Sequence, residues 1–350
     1  MVERVLSTRE LNRAVLARQL LLERSALSPE RAVAQVAGLQ TQYAPSGYVG
    51  LWSRLAGFGR DVLTEALLGG RVVQAWMMRC TIHMVAAEDY WPFTEAVRSA
   101  RREWWRRVAR LPGEVDMATV AAAVRGYLAE GPLKQAEIQK RLVADGHPRE
   151  AWVGVQLWLD LVRVPPAGTW GTPRAHVYGL AERTVPVPER VPDEEQARVL
   201  LAARYLRGFG PASAADVASF CGWSITAARA VLARMELRRF RGEAGGELLD
   251  VPDAPLPAAD TPAPVRFLGQ WDANMLVHVR RAQILPEEYR PRVFAASMPQ
   301  SVPTFLVDGQ VAGTWRFLDG RVRCEPFHRL PASVVRDLDE EAGRLAEFHS

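Results

Sequence analysis

The apolar positions of this chain change repeatedly from a helical period to a strand period, and one order of elements occurs twice. The first copy begins with Tyr127-Leu128 and Gly131-Pro132 and ends in a strand-like stretch at 161–164. The second copy begins with Tyr205-Leu206 and Gly210-Pro211 and shows the same succession of short helix, turn, longer amphipathic helix and strand. Helices followed by a β-hairpin, repeated at a period of roughly 80 residues, predict tandem winged helices.

The first 90 residues follow the same plan less regularly. Helical periodicity is present near 8–24, 28–40 and 61–69, before two alternating stretches at 72–78 and 80–85 that form a candidate wing. We therefore predict three tandem winged helices, in a mainly α protein with β wings.

The pattern changes after residue 252, because a segment rich in proline and alanine, 252–264, has the composition of a linker. The strand-like stretches beyond it are 267–279, 304–307, 311–317 and 322–326. Asp308-Gly309 and Asp319-Gly320 join the last three of these, and Asp-Gly between apolar runs is a strong hairpin signal. A helical pattern with Val334, Val335, Leu338, Ala342 and Leu345 on one face closes the chain.

These patterns divide the chain into four predicted units. Three are winged helices, at 1–90, 91–190 and 191–252, and the fourth is a C-terminal β-hairpin subdomain with a terminal helix, at 265–350.

Composition narrows the functional classes. The chain has 350 residues, of which 48% are hydrophobic and 24% charged, as in an ordinary globular protein. Apolar runs fall short of the ~20 residues of a membrane span, and the N-terminus does not have the pattern of a signal peptide. We expect a cytoplasmic monomer, nucleoid-associated when it binds DNA, with no membrane partner.

The sequence lacks the usual signals of a metal or cofactor. Cys80, Cys221 and Cys324 are far apart and without CxxC spacing, and the histidines are scattered. Glycine-rich phosphate-binding motifs are also missing. We expect neither a cofactor nor a metal.

The basic residues are almost entirely arginine: only Lys134 and Lys140 are lysines, and the other 42 are arginines. Arginine binds phosphate through two parallel hydrogen bonds but is no amine nucleophile. A helix predicted at 91–110 carries Arg98, Arg102 and Arg106 at i, i+4 spacing, which makes one cationic edge suited to a phosphate track. For any single arginine, a solvated helix face is the ordinary alternative. The full set of candidate DNA contacts is Arg98, Arg102, Arg106, Lys134, Lys140, Arg238, Arg239, Arg241, Arg280 and Arg281.

Two carboxamides stand at the end of the second predicted helix. Gln40 continues the apolar stripe of that helix, and Gln42 reaches the same side if the backbone becomes extended there. Pro45 supplies the break, because proline restricts the residue before it to extended conformations. We therefore predict that the two amides converge, although two ordinary satisfied polar residues are the plain alternative. His83, in the first candidate wing, and Asp272, near the linker, are candidate cleft residues.

The chain resembles the AlkZ-type bacterial DNA glycosylases of the tandem winged-helix superfamily. The shared stretches are Gln-Thr-Gln at 40–42, Thr-Ile-His at 81–83, Leu-Val-Arg-Val-Pro-Pro at 161–166, Gly-Thr-Trp-Gly at 168–171, Phe-Gly-Pro-Ala-Ser at 209–213 and Val-Ala-Gly-Thr-Trp-Arg at 311–316. They span nearly the whole chain.

The resemblance implies a site and a reaction. The family's catalytic signature is Gln, an aliphatic residue and Gln, in a concave basic channel formed by the three winged helices. This assigns catalysis to Gln40 and Gln42; here Thr41 replaces the aliphatic residue. Related enzymes carry Gln-x-Asp. A β-hairpin also enters the channel, and the hairpin around Asp308-Gly309 is our candidate. The implied partner is double-stranded DNA containing alkylated purines.

The chemistry of the amide group narrows the class of base that the enzyme could release. Glutamine has no pKa near neutrality, so it positions water and directs carbonyl dipoles rather than moving protons. An N7-alkylguanine or N3-alkyladenine is already cationic and leaves as a neutral base, so it needs no acid; bulky adducts and interstrand crosslinks belong to the same class. With lysine only at 134 and 140, we expect a monofunctional glycosylase.

Two other classes of function stay open on the sequence. One is a non-catalytic winged-helix DNA-binding regulator, because fold does not fix function. The other is a resistance protein that binds a DNA-alkylating compound without DNA.

Overall fold

A computed structural model describes residues 4–111, 113–276, 282–294 and 301–350. Its α-helices are α1 Thr8–Arg18, α2 Pro29–Gln35, α3 Ala44–Trp52, α4 Arg60–Leu68, α5 Ala87–Val108, α6 Met117–Tyr127, α7 Gln135–Ala144, α8 Ala151–Trp158, α9 Glu194–Phe209, α10 Ala214–Cys221, α11 Ile225–Leu232, α12 Arg290–Val293 and α13 Ala332–His349. Its strands are β1 Val5–Leu6, β2 Leu39–Gln40, β3 Val72–Trp76, β4 Ile82–Ala86, β5 Leu133–Lys134, β6 Leu161–Arg163, β7 Val177–Leu180, β8 Arg238–Gly242, β9 Glu247–Asp250, β10 Arg266–Leu268, β11 Thr304–Val307, β12 Gln310–Leu318 and β13 Arg321–Pro326. The fold is therefore a mixed α/β structure.

The strands form separate sheets that cross the predicted unit boundaries. One sheet has the order β2-β4-β3-β6-β7-β5, and its first and second halves meet through a single residue pair, Gln74 opposite Arg163. A second sheet is β1-β8-β9, in which β1 runs parallel to β8. The third is the antiparallel meander β10-β11-β12-β13. Hence the N-terminal strand pairs with the last candidate wing, and the first two candidate wings share a sheet.

The order predicted for the repeated segments is confirmed. Helices α6, α7 and α8 precede the antiparallel pair β6–β7, and helices α9, α10 and α11 precede the antiparallel pair β8–β9. The interpretation of these segments as winged helices, and the four unit boundaries, stay predictions.

Local sequence signals explain several element ends. Ser7 caps α1 through a capping box with Glu10, which satisfies two backbone N–H groups at the helix start. The predicted hairpins β11–β12 and β12–β13 are both present. In each turn the Asp and the Gly both have positive φ, which suits the right-handed twist of the flanking strands.

Three predicted elements were wrong in extent. The first helix ends at Arg18 rather than near 24. Leu20, just after that end, adopts a positive φ. The segment around Pro45 is no break: proline occupies the first turn of α3, where its missing N–H costs nothing. The strand predicted at 267–279 ends at Leu268 and is followed by a 3-10 turn at 273–275, while 277–279 lie outside the described residues.

One large core unites side chains of α1, α5 and α9–α11 with those of the β3–β4 hairpin and the C-terminal meander, while α6–α8 have a core of their own. Phe93 of α5, Tyr205 and Phe209 of α9 and Phe220 of α10 are completely or almost completely buried in it. Their burial holds the long helices α5 and α9 together behind the β3–β4 hairpin. Within the described ranges, no helix combines the length and apolar character that a membrane span needs.

Candidate active site

Gln40 ends the short strand β2, and Gln42 lies in the connection between β2 and α3, so neither glutamine is on a helix. Helix α2 ends at Gln35 because Ala37 and Gly38 adopt φ values of 61° and 86°. A Cβ on Gly38 would approach the Met84 carbonyl oxygen to 3.2 Å, so the close approach to β4 also favours glycine. The prediction that Gln40 continues a helical stripe is therefore wrong.

Gln40 and Gln42 nevertheless converge, as predicted. In β2 the Gln40 position pairs with His83 of β4. The Gln40 Nε2 donates to the Gln42 Oε1 at 3.1 Å. Gln40 is buried, with 6% of its surface exposed, and Gln42 is half-buried. The pair thus has one inner amide held by protein and one outer amide that reaches solvent.

The inner amide is held by Arg79, a residue that sequence reasoning missed. The Arg79 Nη2 donates to the Gln40 Oε1 at 2.9 Å. Arg79 and Cys80 form the turn between β3 and β4, and both have a φ of 53°. Two consecutive non-glycine residues in the left-handed region are unusual in a hairpin, where Asn-Gly is favoured. The sequence carries no sign of this conformation.

His83 is an uncharged part of the same network. Its Nδ1 lies 3.0 Å from the Thr81 carbonyl oxygen, which only accepts, so Nδ1 carries the proton. Its Nε2 therefore accepts from the Arg79 Nη2, at 3.4 Å. Burial lowers the pKa of His83 to about 3, and the charges of Arg79 and Arg101 also lower it. His83 is buried behind Gln40 and is no proton donor near neutral pH.

We expect His83 to make stability depend on pH. The native imidazole stays neutral to about pH 3, whereas the unfolded one takes up a proton below its ordinary pKa of 6.5. The unfolded state therefore binds more protons in this window, and the free energy of unfolding falls as pH falls, by about 2 kcal/mol from pH 7 to pH 5. Urea denaturation of wild type and of His83→Gln measures the difference.

Asp89 has the opposite effect on the pH dependence of stability. Burial raises the pKa of Asp89 to about 6, so the native protein takes up this proton at a higher pH than the unfolded chain and gains stability as pH falls. Because Asp89 is present in both proteins, its contribution cancels in the comparison. Equal pH dependence in wild type and His83→Gln would show that His83 takes up its proton at the same pH in the folded and the unfolded protein, and would contradict this expectation.

Thr41, between the two glutamines, turns its methyl group into the core. A Cβ on Gly47 of α3 would lie 2.7 Å from the Thr41 Cγ2, so this packing needs glycine. Among the described residues the buried Thr41 Oγ1 has no hydrogen-bond partner. Leaving a buried hydroxyl without a partner costs free energy.

Thr41→Val should therefore stabilise the protein. Valine keeps the methyl in place and removes the unsatisfied hydroxyl, so we expect the free energy of unfolding to rise by about 1 kcal/mol. Thr119→Val is the matched control, because its hydroxyl donates to Asp116 at 2.6 Å. Thermal and urea unfolding measure both variants, and a destabilised Thr41→Val protein would contradict the packing described here.

An aromatic cavity is lined by the residue that follows the pair in the chain. It has a volume of about 420 Å³ and begins at Tyr43, the residue after Gln42. Its aromatic lining also includes Trp170, Trp315, Phe317 and His349. Phe317 stacks on His349 with ring centroids 4.5 Å apart.

Three arginines line this cavity or lie over its aromatic rings. Arg316 lines it, the Arg174 guanidinium lies 5.8 Å from the centre of the Tyr43 ring, and that of Arg60 lies 5.1 Å from the centre of the Trp170 ring. Rings combined with guanidinium groups suit bases and phosphates. None of these three arginines is among the DNA contacts predicted from the sequence.

The cationic edge predicted on α5 is partly neutralised. Arg98 makes ion pairs with Asp160, at 3.1 Å, and with Glu95. These carboxylates neutralise its charge, which is therefore not presented on an open surface. The Arg102 Nε donates to the Leu157 carbonyl at 2.7 Å. Arg106 is exposed and lies over the Trp158 ring. Arg106 is thus the member of this set that is most open to a phosphate.

The other predicted cations are dispersed. Lys134 in β5 and Lys140 in α7 are exposed. Arg238 pairs with the buried Asp250, and Arg239 pairs with Glu247 across the β8–β9 hairpin. Arg241 is exposed beside β1. Arg280 and Arg281 lie outside the described residues.

Two further expectations need correction. Asp272 is no cleft acid: it is buried, accepts from the Arg54 Nη2 at 3.0 Å and caps the 3-10 turn that follows. The Asp308-Gly309 turn is not free to enter a groove. Arg13 donates to the Asp308 carbonyl at 3.0 Å and Asn12 donates to the Gly309 carbonyl at 2.7 Å, so the turn is fixed to α1.

Comparison with known proteins gives a family and a fold. The family model described as DNA glycosylase AlkZ-like matches residues 33–348. No curated protein matches the sequence. The structure is similar to that of Streptomyces sahachiroi DNA glycosylase AlkZ, with a TM-score of 0.82 and 22% sequence identity over 98% of this chain and 97% of that chain. At this identity the structural likeness concerns the fold.

Proposed function

We propose that this chain, which belongs to the DNA glycosylase AlkZ-like family, hydrolyses the N-glycosidic bond of cationic alkylated purines in double-stranded DNA. N7-alkylguanine and N3-alkyladenine are the substrate class, and bulky adducts and interstrand crosslinks of the same charge belong to it. The observation that carries the proposal is the hydrogen-bonded pair Gln40–Gln42, held from behind by Arg79 and a neutral His83.

The network suits a reaction without acid catalysis. An amide does not titrate near neutral pH, and burial keeps the pKa of His83 far below neutrality. What the pair offers is an oriented carbonyl oxygen, which accepts a hydrogen bond from one water and directs its dipole at the sugar. In the reaction the bond from C1′ to the purine breaks, its electron pair returns to the cationic base, and the water oxygen bonds to C1′. The proton of that water passes to solvent.

The surroundings of the pair support a DNA substrate. Arg316 lines the aromatic cavity that begins at Tyr43, and Arg60 and Arg174 lie over two of its rings. The exposed cations Lys134, Lys140 and Arg106 lie in the predicted unit 91–190. We assign to the winged-helix units a basic channel that binds the phosphates. The protein acts as a cytoplasmic monomer in this proposal.

The β12–β13 hairpin is the hairpin that suits the channel. Its tip, Asp319-Gly320, has exposed neighbours on both strands. Arg316 and Phe317 on β12 line the aromatic cavity.

Base release from defined duplexes tests the proposal. We expect release of 7-methylguanine and 3-methyladenine, and very slow release of hypoxanthine, an uncharged base whose departure needs an acid. The product should be an abasic site without a strand nick, and borohydride should trap no protein–DNA adduct. Equal rates for cationic and uncharged bases would contradict the mechanism; a trapped adduct would contradict monofunctional hydrolysis.

A further inference from the structure

We propose that Arg79 is a positioning residue for hydrolysis, and that it sets the direction of the Gln42 amide through Gln40. The inference rests on the proposed function and names a third member of its site. Arg79 does not contact the DNA in this proposal. It acts only by fixing which atom of each amide faces its neighbour.

The direction follows from hydrogen-bond chemistry. A guanidinium group only donates, so the Gln40 atom that faces the Arg79 Nη2 at 2.9 Å must be the carbonyl oxygen. The Gln40 Nε2 then faces Gln42, and an NH₂ group only donates. The Gln42 atom at 3.1 Å must therefore also be the carbonyl oxygen. One cation thus orients two amides in series.

The position of Arg79 is itself fixed from several sides. His83 Nε2 accepts from the same Nη2, and the proton on His83 Nδ1 is held by the Thr81 carbonyl oxygen. The Arg79 guanidinium also lies 5.6 Å from the centre of the Phe220 ring of α10. The turn holds Arg79 in the left-handed region, and unfavourable backbone conformations of this kind persist where the surroundings determine them.

The direction has a chemical consequence at Gln42. Its Oε1 keeps a second lone pair, and its Nε2 is left for a further acceptor. Polarisation by Arg79 and Gln40 aligns the carbonyl dipoles in one chain. With Gln40 reversed, two donor groups would face each other at Arg79 and two acceptors would face each other at Gln42. The water and the developing positive charge on the sugar would then meet the wrong atoms.

Kinetics of Arg79→Met test the inference. Methionine keeps the length and removes the donors, so we expect kcat for 7-methylguanine release to fall about 10²-fold while KM changes by less than about threefold. Arg79→Lys keeps a donor without the planar group and should retain an intermediate rate. Arg71→Met, at an exposed arginine just before β3, is the matched control and should keep the wild-type rate.

A double variant separates positioning from a general loss of structure. If Arg79 acts through Gln40, then Gln40→Ala/Arg79→Met should be no slower than the slower single variant. Multiplying effects, or a loss confined to KM, would overturn the inference.

A measurement without catalysis keeps the inference separate from the proposed function. In protein labelled with ¹⁵N at glutamine side chains, the amide signals of Gln40 and Gln42 are assigned by their loss in the alanine variants. We expect both signals to shift in Arg79→Met and neither to shift in Arg71→Met. Unmoved signals would overturn the positioning role, whatever the activity. A wild-type protein that releases no base would count against the proposed function alone.

Discussion

Replacing Gln42 with alanine should lower the single-turnover rate of 7-methylguanine release by about 10²- to 10³-fold, the usual effect of removing one oriented dipole from a reacting centre. The reason is that Gln42 is the half-exposed member of the pair, and its oxygen is already oriented by the Gln40 Nε2 at 3.1 Å. Quantifying the released base by chromatography under enzyme excess measures the step directly.

Two variants serve as controls for this loss. Gln42→Glu keeps an acceptor of the same length for the Gln40 Nε2 and adds a negative charge toward the developing cation, so it should retain most of the rate. Gln310→Ala removes an exposed glutamine at the start of β12 and should leave the rate unchanged. If Gln42→Ala and Gln310→Ala behave alike, Gln42 has no part in the reaction.

Removing Asp250 should destabilise the protein by about 3–5 kcal/mol, because it leaves a buried arginine without its counter-charge. The Arg18 side chain and the Asp250 side chain are both fully buried. Two hydrogen bonds join them, Nη1 to Oδ1 at 2.7 Å and Nη2 to Oδ2 at 2.9 Å. The pair connects α1 to β9, and thus the N-terminal segment to the last candidate wing.

Glu247→Ala is the control for Asp250→Ala. Glu247 belongs to the same strand, but its ion pair with Arg239 has side chains that are 53% and 60% exposed. Solvent screens such a pair, so its loss should cost less than about 1 kcal/mol. Urea denaturation compares the two variants, and equal losses would contradict the buried pair's role.

Local patterns predicted correctly those elements whose ends are determined by residues nearby in sequence. The Asp-Gly turns of the C-terminal meander and the repeated helix order were both predicted correctly because each depends on residues a few positions apart. The end of α2 was misjudged because the left-handed conformation of Ala37 overrides the helical apolar stripe.

The site was only half predictable. Convergence of the two amides follows from their spacing, but their support comes from Arg79, which lies 39 positions beyond Gln40 in the chain. Separation in sequence also explains why the roles of two charged residues were mispredicted. Arg98 pairs with Asp160, and Asp272 is buried in an ion pair with Arg54, and both partners are distant in sequence. A sequence pattern shows that a charged residue is present but does not show which residue it pairs with.

The account depends on Gln40 and Gln42 acting as one unit. Single-turnover release of 7-methylguanine by wild type, both single alanine variants and Gln40→Ala/Gln42→Ala measures this most directly. Because the amides share one hydrogen bond, the double variant should be no more than about threefold slower than the slower single variant, and at least about 10²-fold slower than wild type. A double variant that releases the base at the wild-type rate would contradict the account.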